Sequence, residues 1–324
     1  MTVDRAWARR TAATHLNGAA QGVKGDGGIV IVVGGSQAYG APPYLAGLGA
    51  LRAGAHRVYV LAPHGPAAMA AGLEMHLLPN PGPELQLSSV KDLLPLSGHL
   101  SDQLARTGAA GQLVWLIGPG LGGHPAARSV LEALAEARAA ESRPAVVIDG
   151  SLGGGESGID FIAALNAQIL LLNRVEAASL TDSCPLAERG PGARIEDLTT
   201  LAARAAVPAV TAKGEVDVVV APETVYRVPA GHPSLAKSSS GDVLAGVAAG
   251  LLAQRVPSAQ AAALACYLVG TTGRRLAART GPGWLPSELL DALPHPVRTV
   301  HGSVLRRLAR HQITRPIQGG LHRW

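Results

Sequence analysis

Residues 29–53 read IVIVVGGSQAYGAPPYLAGLGALRA: five consecutive β-branched residues, a glycine-rich turn, then an Ala/Leu-rich stretch. An uninterrupted β-branched run suits a strand buried on both faces, whereas a strand with one wet face would alternate apolar and polar residues. Pro43–Ala53 then reads as a helix. The same strand-and-helix unit recurs. Arg57–Leu61 (RVYVL), Leu113–Ile117 (LVWLI), Ala145–Ile148 (AVVI), Ile169–Leu172 (ILLL) and Ala209–Ala212 (AVTA) are short apolar runs. Ala126–Ala140 reads as a helix, and Glu176–Leu180 starts another. Val216–Ala221 and Thr224–Val228 look like a hairpin. Apolar strands each followed by a helix specify an α/β fold with a mostly parallel central sheet covered on both faces. No linker interrupts residues 20–300 and no repeat is visible. The expectation is one domain over residues 1–303, with 1–20 an N-terminal helical segment and 304–324 a basic tail.

Composition excludes several classes. Of 324 residues, 47% are hydrophobic and only 3% aromatic, so a sizeable core must be built from Ala, Val and Leu. Cys184 and Cys266 stand far apart without CxxC spacing, which argues against a disulfide framework or zinc site and for a reducing compartment. The net charge is +5. Much of the excess lies in the tail, at Arg306, Arg307, Arg310, Arg315 and Arg323, and no basic stripe with interleaved aromatics points to nucleic acid. The first residues, MTVDRAWARRTAATHL, lack the apolar core of a signal peptide. Val243–Gln254 is apolar all round but too short to span a bilayer, so it reads as a buried helix. A cytoplasmic protein without membrane or nucleic-acid partners is expected.

In an open parallel sheet, ligands bind beyond the carboxyl ends of the strands. The residues at those positions are Gly34–Tyr39, Gly118–Gly122, Asp149, Asn173–Glu176 and Lys213, polar or glycine in register after register. Ser238–Gly250, SSSGDVLAGVAAG, then places small residues before a long apolar helix. The first-turn amides of such a helix have no intrahelical acceptor and favour an anion such as a phosphoryl group. Asp242 either caps that helix or, beside a bound phosphate, accepts the proton of a hydroxyl attacking the γ-phosphorus.

The other strand ends each have a plain and a functional reading. Asn173 and Glu176, three residues apart, suit either a helix cap or the water-mediated holding of Mg²⁺. Gly118–Gly123 fits GxGxxG, the form of a dinucleotide-binding turn, although Pro119 alters its geometry. Gly34–Pro42 brings backbone close to a ligand but lacks the GK[ST] of a Walker A loop. Lys213 suits a phosphate or a solvated surface equally. Among the histidines, His232 is notable for lying six residues before the serine run.

Taken together, Lys24-Gly25, residues 30–55, IGPGLGG (117–123), VVID (146–149), residues 233–254 and Ala-Leu-Pro at 292–294 resemble the ADP/ATP-dependent NAD(P)H-hydrate dehydratases of the ribokinase-like superfamily. The order and spacing of the blocks match over roughly residues 20–295. The resemblance implies a ribokinase-like three-layer α/β/α sandwich. It implies ATP or ADP, with Mg²⁺, phosphorylating the hydroxyl of NADH or NADPH hydrate, followed by loss of phosphate. By position it makes Asp242 the base and assigns Ser239, Ser240 and Gly241 to the anion hole. Lys213, Gly214, Glu215, Val216 and Asp217 would line the adenine nucleotide; Ala41, Gly120, Gly122 and Asn173 would line the hydrate with Asp242. It further implies a homo-oligomer and a separate epimerase, since many relatives carry an epimerase domain ahead of this one.

Three positions depart from the family pattern. Ser238 and Ser239 stand where Gly-Gly is usual, Leu172–Glu176 replaces Pro-His-x-Gly-Glu, and Asp149-Gly150-Ser151 replaces Asp-Ala-Asp. A serine forced to positive φ would cost roughly 1 kcal/mol. Two alternatives stay open: a small-molecule kinase of the same fold, motivated by Asn-x-x-Glu, and a non-catalytic nucleotide-binding protein, motivated by the serines.

Overall fold

The computed structural model describes residues 1–16, 25–63, 74–80, 82–122, 125–140, 144–150, 152–181 and 195–294. The basic tail, Lys24 and Cys184 lie outside them. The sheet has nine strands in the order β3-β2-β1-β4-β5-β6-β7-β8-β9. They are β1 Ile29–Val33, β2 Arg57–Leu61, β3 His76–Leu77, β4 Leu113–Ile117, β5 Ala145–Asp149, β6 Ile169–Leu172, β7 Val210–Ala212, β8 Asp217–Ala221 and β9 Thr224–Val228. Pairing is parallel from β3 through β7, and β8 and β9 close the edge as an antiparallel hairpin.

Alternation within each strand builds two cores. Val30, Val32, Val114, Leu116 and Leu171 face one side. There they meet α1 (Arg5–His15), α2 (Pro42–Ala53), α8 (Ser240–Ala253), α9 (Ser258–Thr280) and α10 (Pro286–Ala292). Ile29, Ile31, Trp115, Ile117 and Leu170 face the other. Over them lie α3 (Leu87–Thr107), α4 (Pro125–Ala140), α5 (Gly155–Ala164), α6 (Arg174–Thr181) and α7 (Ile195–Arg204). This is the three-layer arrangement, and the N-terminal helical segment is α1, capped where the Asp4 carboxylate accepts the Trp7 amide at 2.7 Å.

The small residues explain how α8 is placed. A Cβ at Gly246 would run into the carbonyl of Ala46, and one at Gly250 would lie 2.6 Å from the Ala50 carbonyl oxygen. Backbones of α2 and α8 therefore touch, as only glycine permits, and α8 is buried almost throughout. The Val243–Gln254 stretch is thus a core helix. Rigid seating of α8 against α2 fixes its N-terminus, Ser240–Asp242, at the carboxyl edge of the sheet. No described helix is long and apolar enough to cross a membrane.

Candidate active site

Because β1, β4, β5, β6 and β7 are adjacent and parallel, the residues that follow them share one edge. The direction of strand addition reverses between β1 and β4, the position where open sheets form a ligand crevice. Their loops clasp one another: the Gly35 amide donates to the Pro119 carbonyl at 2.8 Å, and a Cβ at Gly120 would lie 2.8 Å from the Tyr39 carbonyl oxygen. Gly118, Gly120 and Gly122 have φ of 121°, 67° and 65°, so this turn requires glycine.

Further along the edge a charged cluster forms. Lys213 Nζ lies 2.8 Å from Asp149 Oδ1 and 4.0 Å from Glu176 Oε2. A Cβ on Gly241 would stand 3.3 Å from the same ammonium, which therefore abuts the start of α8. Burial works against the Lys213 charge, yet Asp149 and Glu176 outweigh it and hold its pKa above the ordinary lysine value. Burial also pushes Asp242 up to about 6; Asp149 adds to the rise, while Lys213 and a hydrogen bond from the Ser239 hydroxyl oppose it. Glu176 is raised by burial as well, against the pull of Lys213.

Asp242 is not the cap of α8. Ser239 occupies that position, in the left-handed region at φ 67°, ψ −2°, with Asp242 in the first turn behind it. Serine thus stands in a conformation that glycine adopts freely, at a cost of about 1 kcal/mol. The Ser240 hydroxyl donates to the carbonyls of Leu235 and Lys237 at 2.6 and 3.0 Å, so it faces the preceding turn. The amides of Gly241 and Asp242 belong to the first turn, where helix geometry supplies no acceptor.

Asn173 and Glu176 form a reciprocal cap on α6. Asn173 Oδ1 accepts the amides of Val175 and Glu176, each at 2.9 Å, and Glu176 Oε2 accepts the Asn173 amide at 2.7 Å. This engages both acceptor sites of the Asn173 oxygen and leaves Glu176 Oε1. Among the described residues no group of three or more His, Cys, Asp and Glu side chains could hold a metal alone. A hydrated Mg²⁺ anchored chiefly by phosphates needs only one or two carboxylates, and Glu176 fits that demand better than Asn173.

A cavity of about 750 Å³ opens beside this cluster. Asp149, Asn173, Glu176, Lys213 and Asp242 line it, as do Gly231, His232, Cys266, Val269 and Gly270. Gly214, Glu215 and Asp217 line it too, and the Gly214 amide donates to Asp217 Oδ1 at 2.9 Å. Asp217 is buried and raised to about 6 by desolvation, opposed by that amide, by the Cys266 thiol and by Lys213. Cys266, buried against Asp217, has its own pKa pushed well above the usual thiol value. Val216 is exposed and does not line the cavity; nor do Ala41, Gly120 and Gly122, which belong to the neighbouring β1 and β4 loops. His232 caps the 3₁₀ turn Pro233–Leu235, with Nδ1 2.8 Å from Ser234 Oγ. Cys266, Val269 and Gly270, contributed by α9, had no local signal in the sequence.

Comparison with known proteins gives the family and the fold. A family model described as NAD(P)H-hydrate dehydratase matches residues 30–295. A bifunctional NAD(P)H-hydrate repair enzyme, Nnr, from Pyrobaculum aerophilum is 31% identical over 281 residues, covering 85% of this chain and 51% of that protein. An ADP-dependent (S)-NAD(P)H-hydrate dehydratase from Natrialba magadii is 29% identical over 279 residues, 84% of this chain and 93% of that one. The chain spans about half the length of the bifunctional relatives it matches. Among solved structures, the ADP/ATP-dependent NAD(P)H-hydrate dehydratase from Bacillus subtilis, co-crystallised with ATP/Mg²⁺, superposes with a TM-score of 0.64 at 21% identity, over 92% of this chain and 97% of that one. A ribokinase-like superfamily protein from Enterococcus faecalis superposes with a TM-score of 0.65 at 22% identity, over 86% and 89%. The fold is ribokinase-like, and the chain belongs to the NAD(P)H-hydrate dehydratase family.

Proposed function

We propose that this protein dehydrates the hydrate of NADH or NADPH at the expense of ATP or ADP, with Asp242 as the base. The observation that carries the reading is the placement of a carboxylate with pKa about 6 in the first turn of α8, beside its unpaired amides and next to Lys213. A base poised near neutral pH can take a hydroxyl proton, and the same helix start can receive the phosphoryl group. The (S) hydrate is taken as substrate because the Natrialba magadii relative is named for it.

In the first step Asp242 accepts the hydrate's hydroxyl proton as that oxygen bonds to the terminal phosphorus and the bond to the nucleotide breaks. The amides of Gly241 and Asp242, with Lys213, stabilise the charge on the transferred group. In the second step the carbon–oxygen bond breaks, phosphate leaves with the electron pair, and loss of a proton from the adjacent carbon forms the nicotinamide double bond. The phosphates lie at the Lys213–Asp242 end of the cavity and the adenosine toward Gly231, Cys266 and Gly270. Mg²⁺, when bound, would be held through water by Glu176, because both acceptor sites of Asn173 Oδ1 are engaged by the Val175 and Glu176 amides, and would neutralise the phosphate oxygens. The hydrate approaches from the Gly34–Ala41 and Gly118–Gly122 loops.

The test is incubation with NADH hydrate, Mg²⁺ and either nucleotide while the absorbance of reduced nicotinamide is followed. Recovery of that absorbance with stoichiometric phosphate release is the expected result. Phosphorylation of another alcohol without recovery would favour a kinase of the same fold, and failure to bind ATP or ADP would overturn both.

A further inference from the structure

Lys237 stands directly before the serine run, in AKSSSGD, and lines the cavity. Its ammonium donates to the carbonyls of Pro282 and Trp284 at 2.8 and 2.6 Å and lies 3.9 Å from the centre of the Trp284 ring. Two of its three N–H donors are thus engaged by backbone carbonyls. Trp284 is itself buried, and its indole N–H donates to Ser234 Oγ at 3.0 Å. The segment 281–284 after α9 therefore grips the chain at both Ser234 and Lys237, while Ser240 Oγ ties Leu235 and Lys237 from the α8 side.

Two residues beyond Lys237 the chain takes the left-handed turn at Ser239. A serine stays in that region only where its surroundings over-determine it, and the grip on residues 234–237 is the constraint that precedes it. We propose that Lys237 is a positioning residue, whose ammonium, held between the Pro282 and Trp284 carbonyls and the Trp284 ring, fixes the turn at Ser239 and thereby aims the first-turn amides of α8. The inference rests on the reading of that helix start as a phosphate site. It predicts that loss of the ammonium weakens recognition of the outer phosphates specifically.

The experiment compares ATP with AMP, which lacks those phosphates, by calorimetry on the wild-type, Lys237→Met, Lys237→Ala and Trp284→Phe proteins. The expected result is at least a tenfold loss of ATP affinity in Lys237→Met, with AMP affinity changed less than twofold. Propylammonium, which replaces the missing part of the side chain, restores ATP affinity to Lys237→Ala. Trp284→Phe, which keeps a ring but frees Ser234, also weakens ATP several-fold and not AMP. Unchanged ATP affinity, or equal losses for both ligands, would overturn the inference. An effect of Lys237→Met with none of Trp284→Phe would make Lys237 a direct phosphate ligand and overturn the positioning role. Wild-type protein that binds ATP yet recovers no reduced nicotinamide from NADH hydrate would remove the dehydratase reading alone; protein that binds neither nucleotide would remove both.

Discussion

Lys213 Nζ stands 2.8 Å from Asp149 Oδ1, joining the ends of two strands that are separated in the sheet by β6. The pair is largely buried, with side-chain exposures of 17% and 9%. Removing one partner leaves the other charge uncompensated, so Lys213→Met should lower stability by about 3 kcal/mol at neutral pH. Adding Asp149→Asn should return more than half of that loss, as measured by a double-mutant cycle in denaturant. A pair that contributed only surface attraction would show a loss below about 1 kcal/mol and no recovery.

Asp242, raised to about 6, must be ionised to act as a base. The rate at low substrate concentration should therefore fall tenfold per pH unit below about pH 6 and level off above it. A profile flat from pH 5 to 8 would mean that no group with this ionisation is required.

Ser239→Gly tests strain and electrostatics together. Glycine relieves the positive φ, so the variant should be stabilised by about 1 kcal/mol. The same change removes the hydroxyl that bonds the Asp242 carboxylate and favours its charged form. The acid limb of the rate profile should accordingly move to higher pH. A stabilised protein with an unmoved limb would show that the hydroxyl does not reach the carboxylate in solution.

Asp217 offers a pH-dependent stability. Its folded pKa, about 6, lies above the ordinary 3.8, because burial penalises the charge. The native state therefore binds this proton more tightly than the unfolded chain, so its stabilising contribution is present below the unfolded value and lost as pH rises through about 6. Asp217→Asn keeps an acceptor for the Gly214 amide and carries no charge. It should raise the melting temperature at pH 8 by about two degrees more than at pH 5. Equal shifts at the two pH values would contradict a buried, strained carboxylate.

Much of the fold was legible because parallel strands buried on both faces must be apolar throughout; the runs at 29–33, 57–61, 113–117, 145–149 and 169–172 are strands within a residue of their sequence reading. Boundaries elsewhere moved by one or two residues, as at Val216, which precedes β8, and Arg174, which opens α6. Helix α3 was not read, since Pro95 lies inside it and serines and a glycine dilute its apolar face. Strand β3, two residues long, is created by pairing with β2 and has no signal of its own.

The site divides in the same way. Asp149, Asn173, Lys213 and Asp242 were visible because each follows a strand or opens a helix. Their pairing was not: Lys213 and Asp149 are 64 residues apart, and only strand order brings them together. Ser239's positive φ was visible only as a question, since whether that position needs it depends on the turn before α8. Cys266 and Gly270 reach the cavity through the packing of α9, which no local pattern encodes.

The most direct measurement uses Asp242→Asn with NADH hydrate, ATP and Mg²⁺ in a single turnover, alongside calorimetric binding of ATP. The expected result is a loss of about a thousandfold or more in nicotinamide recovery, with ATP affinity retained within about threefold. A variant that keeps more than a tenth of the wild-type rate would contradict Asp242 as the base.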